Sequence, residues 1–232
     1  NVTLELYQNY YDVDPSHIFR LEPTKNKTGD VWHIYVYGVG HGQYYGWRLD
    51  GTYNPINGKR FNPNKLLIDP YAKAVTTFFD WDDEAVYGYD KSSPLQDLSF
   101  STLDSAKSMI RSIVIDDSKY DWDDDKQPHV PWNETIIYEM HVRLFTMNPN
   151  SETKFPGTFF GVIEKIDHLK KLGVTTIELM PVFEFNINSN PNINPLTGEE
   201  LKDVWGYNPL NFFAVTGNYS VGLKLGEQVF LF

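Results

Sequence analysis

Between Phe159 and Leu172 the apolar residues Phe159, Val162, Ile163, Ile166, Leu169 and Leu172 recur every three or four positions, with Glu164, Lys165, Asp167, Lys170 and Lys171 between them. This spacing lays one apolar stripe along a helix and predicts a helix over 159–172, closed by Gly173 in a left-handed cap. On either side, Ile136-Ile-Tyr and Thr175-Thr-Ile-Glu-Leu-Met are short, apolar and β-branched, as in strands of a parallel sheet covered on both faces. Strand, helix and strand make a βαβ unit with a right-handed connection. Such a unit opens a doubly wound sheet as readily as a β/α barrel, and periodicity does not choose between them.

Upstream the period changes to two. Val31 to Tyr37 and Tyr44 to Leu49 alternate about the glycines at 38, 40 and 42, which predicts a β-hairpin. Trp32, Ile34 and Val36 share one face, and Tyr45, Trp47 and Leu49 share one face of the partner strand, enough for a sandwich core. These aromatics are read as packing, not as sugar platforms. The opening VTLELY is a strand already in progress, so a strand is expected before it. Phe61 to Ala72, interrupted by Pro63 and Pro70, predicts turns that tie the module down. Arg111 to Asp116 predicts a last strand, and Gly226 to Phe232 the first turns of a helix. The acidic run Asp121 to Asp125 lacks the spacing and glycine hinge of a calcium loop and predicts a solvated turn.

Composition narrows the function classes. The chain has 232 residues, of which 41% are hydrophobic and 16% aromatic, ample for one or two cored domains. A net charge of -11 with no basic cluster argues against nucleic acid or an anionic membrane as partner and favours a neutral ligand. There is no cysteine, hence no disulfide framework or thiolate metal site, a pattern compatible with a cytoplasmic location. No run of about 18 apolar residues predicts a membrane span. No nucleophile elbow, metalloprotease motif, phosphate-cradling loop or dinucleotide fingerprint can be read, so no cofactor or metal is implied. The histidines at 17, 33, 41, 129, 141 and 168 show no ligand spacing. His141 alone stands at the end of a strand of the βαβ unit, and is read as a hydrogen-bonded scaffold residue.

The stretches WNETIIYEMHVRLFT, GTFFGVIEKIDHLKKLGVTTIELMPV and DVWGYNPLNFFA, in this order, resemble the first third of the catalytic barrel in the α-amylase superfamily, glycoside hydrolase family thirteen. Within it they are similar to glycogen debranching enzymes and isoamylases. The resemblance runs from about Ser112 to Gly226 and takes in DWDDDKQPHVPW. It extends more weakly to YGWRLDG and FNPNKLLIDPYAKAV, which look like the end of an Ig-like β-sandwich carbohydrate-binding module. The implied fold is multidomain: residues 1–103 a β-sandwich module lacking its N-terminus, 104–133 a linker, and 134–232 the start of a (β/α)8 TIM barrel cut after its second strand. The stretch from Thr135 to Phe232 is far short of the about 250 residues of such a barrel, so a fragment is expected.

Glycoside hydrolysis needs two carboxylates flanking the scissile bond. Read from the residues alone, Glu139, Glu178, Glu184 and Asp203 are the candidates. The resemblance argues against all four, because the family's reacting carboxylates come from the ends of strands four, five and seven. It implies a parent enzyme that hydrolyses α-1,6 branch linkages in glycogen or limit dextrin with retention, with no catalytic residue in this chain and no activity of the chain by itself. Branching enzymes, trehalose-releasing hydrolases and a non-catalytic α-glucan-binding protein are the alternatives. The same resemblance places Tyr207 where an aromatic ring stacks on the sugar at the cleaved subsite, with Trp205 and Asn208 as its substrate-binding neighbours.

Overall fold

Strand β1 (Val2–Tyr7) is buried on both faces, and this decides how the first part of the chain is built. The computed structural model describes residues 1–77, 79–80, 82–118, 120–222 and 225–232, and they divide into two compact units, Asn1–Asp116 and Asp117–Phe232. In the first unit β1 is followed by β2 (His17–Arg20), the single turn α1 (Pro23–Asn26), β3 (Lys27–Thr28), β4 (Val31–Trp32) and β5 (Tyr44–Leu49). After β5 come β6 (Tyr53–Asn54), β7 (Lys59–Arg60), β8 (Ala74–Val75) and β9 (Ser112–Ile113). Five of these form an antiparallel sheet in the order β2-β1-β5-β9-β8.

One face of the sheet is apolar. Val2, Leu4 and Leu6 stand opposite Leu49, Trp47 and Tyr45 of β5, and Leu21, Trp32, Ile34, Val36 and Val39 close over them. Residues 31–37 thus keep the alternation read from the sequence, with Tyr35 and Tyr37 turned outward at 80% and 89% exposure. The predicted hairpin with Tyr44 to Leu49 does not form. Both edges of β5 are taken, by β1 and β9, so the 31–37 segment lies over the sheet as the second layer of a sandwich-type domain. Only Val31 and Trp32 enter a ladder, with β3.

The reverse face is polar yet buried. The Tyr7 hydroxyl donates to Glu5 Oε2 at 2.6 Å, and Arg48 Nε donates to the same oxygen at 2.8 Å while its Nη2 reaches Asp104 Oδ1 at 3.0 Å. Arg111 is wholly buried. It donates to the carbonyls of Met109 at 2.6 Å, Asp12 at 2.9 Å and Ala106, and its guanidinium carbon lies 4.3 Å from the centre of the Tyr7 ring. Burial, then the bond to Glu5, pushes the Tyr7 hydroxyl well above its ordinary pKa. Lys65 Nζ donates to Ala85 O, Ser101 Oγ and Leu103 O at 2.7–2.9 Å. Gly46 is where the backbone must come close: a Cβ there would lie 2.7 Å from Leu66 Cδ1. Residues 61–72 form turns, as expected, bridged to the sheet through Trp47 and Leu67. The sheet continues past residue 103, where the sequence suggested a linker, because β9 inserts between β5 and β8.

In the second unit β10 (Ile137–Met140) and β11 (Thr176–Leu179) are parallel, in register from Ile137 with Thr176 to Met140 with Leu179. The connection carries α2 (Val142–Thr146), α3 (Phe159–Ile163) and α4 (Ile166–Lys171), so the helix predicted over 159–172 is two. The break has local causes. The Glu164 carboxylate turns back to accept the Lys154 N–H at 2.8 Å, and the Lys165 N–H bonds the Val162 carbonyl at 2.9 Å, a three-residue step that tightens the turn. Thr158 caps α3, and Gly173 ends the crossover in the left-handed conformation. Phe159 and Leu169 are buried, but Ile163, Ile166 and Leu172 remain 43–57% exposed. A strand pair the sequence reading did not foresee follows, β12 (Phe183–Phe185) against β13 (Pro209–Val215), and the described chain ends in α5 (Gln228–Leu231). Val142, Phe159, Phe185 and Tyr219 form the core here.

Candidate functional site

The C-terminal ends of the two parallel strands lead to one place. Met140 ends β10, and the next residue, His141, caps α2 by accepting the Leu144 N–H on Nδ1 at 3.2 Å. That acceptor role leaves the ring proton on Nε2, which donates to the Val204 carbonyl at 2.6 Å. The polar loop after β12 is therefore brought back over the end of β10. Trp205 packs edge-on to the His141 ring at 6.1 Å, Tyr219 does so from another side at 5.5 Å, and the Tyr219 hydroxyl lies 3.2 Å from Nε2. Burial pushes the Tyr219 hydroxyl up to about 12, so it stays protonated.

Past Val204 the chain turns sharply. Gly206 adopts φ +75°, its N–H points to Asp203 Oδ1 at 3.3 Å, and a Cβ would meet the Phe185 ring at 3.4 Å and the Pro181 carbonyl at 3.5 Å. Only glycine fits this conformation without strain. On either side of the buried Gly206, Trp205 is 55% and Tyr207 66% exposed, and Asn208 is exposed beyond them. Trp205 also borders an open depression of about 450 Å³ with Ser189, Pro191 and Lys202 on its rim. The three residues read as substrate-facing are thus adjacent on one surface turn, with an aromatic face available to a flat apolar ligand surface.

The four candidate carboxylates have different settings. Glu139 and Glu178 are register partners in mid-strand, both exposed, in a ladder whose strands lie about 4.8 Å apart. Asp203 serves the Gly206 turn. Glu184 is buried and accepts the Gly217 N–H at 2.9 Å. Burial raises its pKa to about 7, against the opposing effect of its bonds to Gly217, Phe185 and Thr216. A carboxyl whose folded pKa lies above its unfolded value binds the proton more tightly in the folded state, so stability falls as pH rises from about 4.5 to about 7. The shift corresponds to roughly 3 kcal/mol. Melting of the second unit should therefore occur at lower temperature at pH 8 than at pH 5, and Glu184→Gln should flatten that slope; an unchanged slope in the variant would assign the dependence elsewhere. Among the described residues no group of three His, Asp or Glu is arranged to hold a metal ion, and no helix is long and apolar enough to cross a membrane.

The groups behind the turn are not legible in the sequence: His141 stands out at the end of a strand, but no periodicity links it to its partners Val204 and Tyr219. A polar residue directly after an apolar strand was the only available signal.

Residues 1–72 match the family described as carbohydrate-binding module 48, the isoamylase N-terminal domain. Isoamylase 1, chloroplastic, of Arabidopsis thaliana is 36% identical over 201 residues, covering 87% of this chain and 24% of the relative. The glycogen debranching enzyme of Yersinia enterocolitica is 40% identical over 203 residues, covering 86% of this chain and 28% of the relative. The chain spans about a quarter of the length of these curated relatives. Among solved structures, the product complex of the multi-modular glycogen-degrading pneumococcal virulence factor SpuA superposes with a TM-score of 0.62 at 26% identity, over 99% of this chain and 22% of that one. Pullulanase from Bacillus acidopullulyticus shares the fold at 0.62 and 23% identity, over all of this chain and 24% of that one. Residues 1–72 match the isoamylase N-terminal domain family, and over most of its length the chain is similar to part of isoamylases and glycogen debranching enzymes.

Proposed function

We propose that the chain is the leading part of an enzyme that hydrolyses α-1,6 branch linkages in glycogen or a related α-glucan with retention of configuration. In this reading the first unit binds glucan, the second opens a (β/α)8 barrel at about residue 134, and the reacting carboxylates lie on strands outside the chain. The observation that carries it is the meeting of the C-terminal ends of β10 and β11 at the Trp205 to Asn208 turn, the end of a β/α barrel where substrates bind. Exposed Ile136, Ile137 and Ile177 on the parallel pair support further strands and helices packing there. Tyr207, with Trp205 and Asn208 beside it, then offers a wall for one pyranose ring.

The chain and the full-length protein should be compared on amylopectin and glycogen. The chain is expected to be retained on the polysaccharide and to release no linear chains, while the full-length protein releases them. Release of reducing ends that follows the purified chain would place the chemistry among its own carboxylates, with Glu139 and Glu178 the first to test. Absence of retention would remove the glucan reading, and retention without turnover by the full-length protein would make it a binding protein.

A further inference from the structure

We infer that His141 is a positioning residue, which sets the direction of the sugar-facing turn by holding the Val204 carbonyl; this rests on the reading of Tyr207 given above. The turn is fastened to the body of the unit at its root. The Asp203 N–H bonds the Ile187 carbonyl at 2.8 Å, the Val204 carbonyl accepts from His141 Nε2 at 2.6 Å, and the Gly206 N–H points to Asp203 Oδ1 at 3.3 Å. Of these, only the bond to His141 ties the turn to the end of β10; the other two stay within the loop after β12. The Tyr207 ring is two-thirds exposed, so its orientation follows from the backbone it leaves. His141 is suited to the task because its ring is fixed from every side. It is buried, its Nδ1 is occupied by the Leu144 N–H, and Tyr219 and Trp205 pack edge-on against it. A donor held in this way costs no reordering when ligand binds, which is what an aromatic wall needs to meet a pyranose at a set angle.

Two roles of the ring can be separated chemically. In His141→Asn the amide oxygen lies near the Nδ1 position and still accepts from Leu144, but no donor reaches Val204. In His141→Gln the amide nitrogen reaches the Nε2 position and still donates to Val204, while the α2 cap is lost. In the 232-residue chain, the Trp205 indole N–H resonance, assigned with Trp205→Phe, and the Kd for maltoheptaose should be measured for both variants. Both variants lose the ring that packs against Trp205 and so shift its resonance and lower Tm; His141→Asn is expected in addition to broaden the resonance and to weaken binding about tenfold. His141→Gln is expected to keep a sharp Trp205 line and the wild-type Kd. A Trp205 line as sharp in His141→Asn as in His141→Gln, or equal loss of affinity in the two variants, would overturn the inference. Affinity unchanged by Tyr207→Ala would mean that the binding belongs to the first unit and would overturn the glucan site at the turn, while broadening confined to His141→Asn would still establish the tether.

Discussion

Tyr207→Ala in the full-length enzyme should lower kcat/KM on branched α-glucan roughly tenfold to a hundredfold, the equivalent of ~1–3 kcal/mol for a lost stacking and positioning contact. The ring is 66% exposed, so the fold has little to lose and Tm should stay within a degree or two of wild type. Tyr207→Phe keeps the face and should be mild. A ring that both binds the sugar and fixes its angle affects the transition state as well as the ground state, so kcat should fall along with affinity. If Tyr207→Ala kept kcat/KM and lost several degrees of Tm, the ring would belong to packing and the site would be elsewhere.

The second large effect is on the fold. Arg111→Met should lower the melting temperature of the first unit by roughly 10–30 °C, from a loss of about 3–5 kcal/mol. Removing a buried charge also removes its desolvation cost, and burial does hold the Arg111 guanidinium below its ordinary pKa. That gain is outweighed, because its acceptors are main-chain carbonyls of Asp12, Met109 and Ala106, which remain behind with no donor. Arg20→Met, on an exposed position of β2, is the control and should change stability by no more than about 0.5 kcal/mol. Near-ultraviolet circular dichroism during heating follows the transition. A melting temperature for Arg111→Met within about 3 °C of wild type would mean that water or a relaxed backbone replaces the guanidinium.

Faces were legible in the sequence and partners were not. The alternation of Trp32, Ile34 and Val36 identified the side that packs against the sheet. It did not reveal that β5 would spend both edges on β1 and β9, because an edge is claimed by strands far away in sequence. The stripe from Phe159 to Leu172 identified the crossover, but periodicity carries no trace of a Glu164 side chain turning back to Lys154. The parallel pair and the βαβ order were readable from short β-branched runs. The β12 and β13 pair was not, since Phe183–Phe185 has only three residues and its partner follows a long polar loop. At the site the exposed aromatics after that loop were visible as residues, and the resemblance alone singled out Tyr207. The tether behind it joins residues 63 positions apart, a relation that only folding discloses.

The bond from Arg111 to the Asp12 carbonyl spans 99 residues, and this sets a timetable for synthesis. At about 5–20 residues per second, a ribosome delivers the guanidinium roughly 5–20 s after the carbonyl it will hold. During that interval β1 carries Glu5 and Tyr7 with one side of their polar layer unfilled, while β5 and its Arg48 have already emerged. The nascent first unit is therefore an apolar half-sandwich with an open polar back. Its completion waits for β9, which takes the edge of β5 that β1 leaves open.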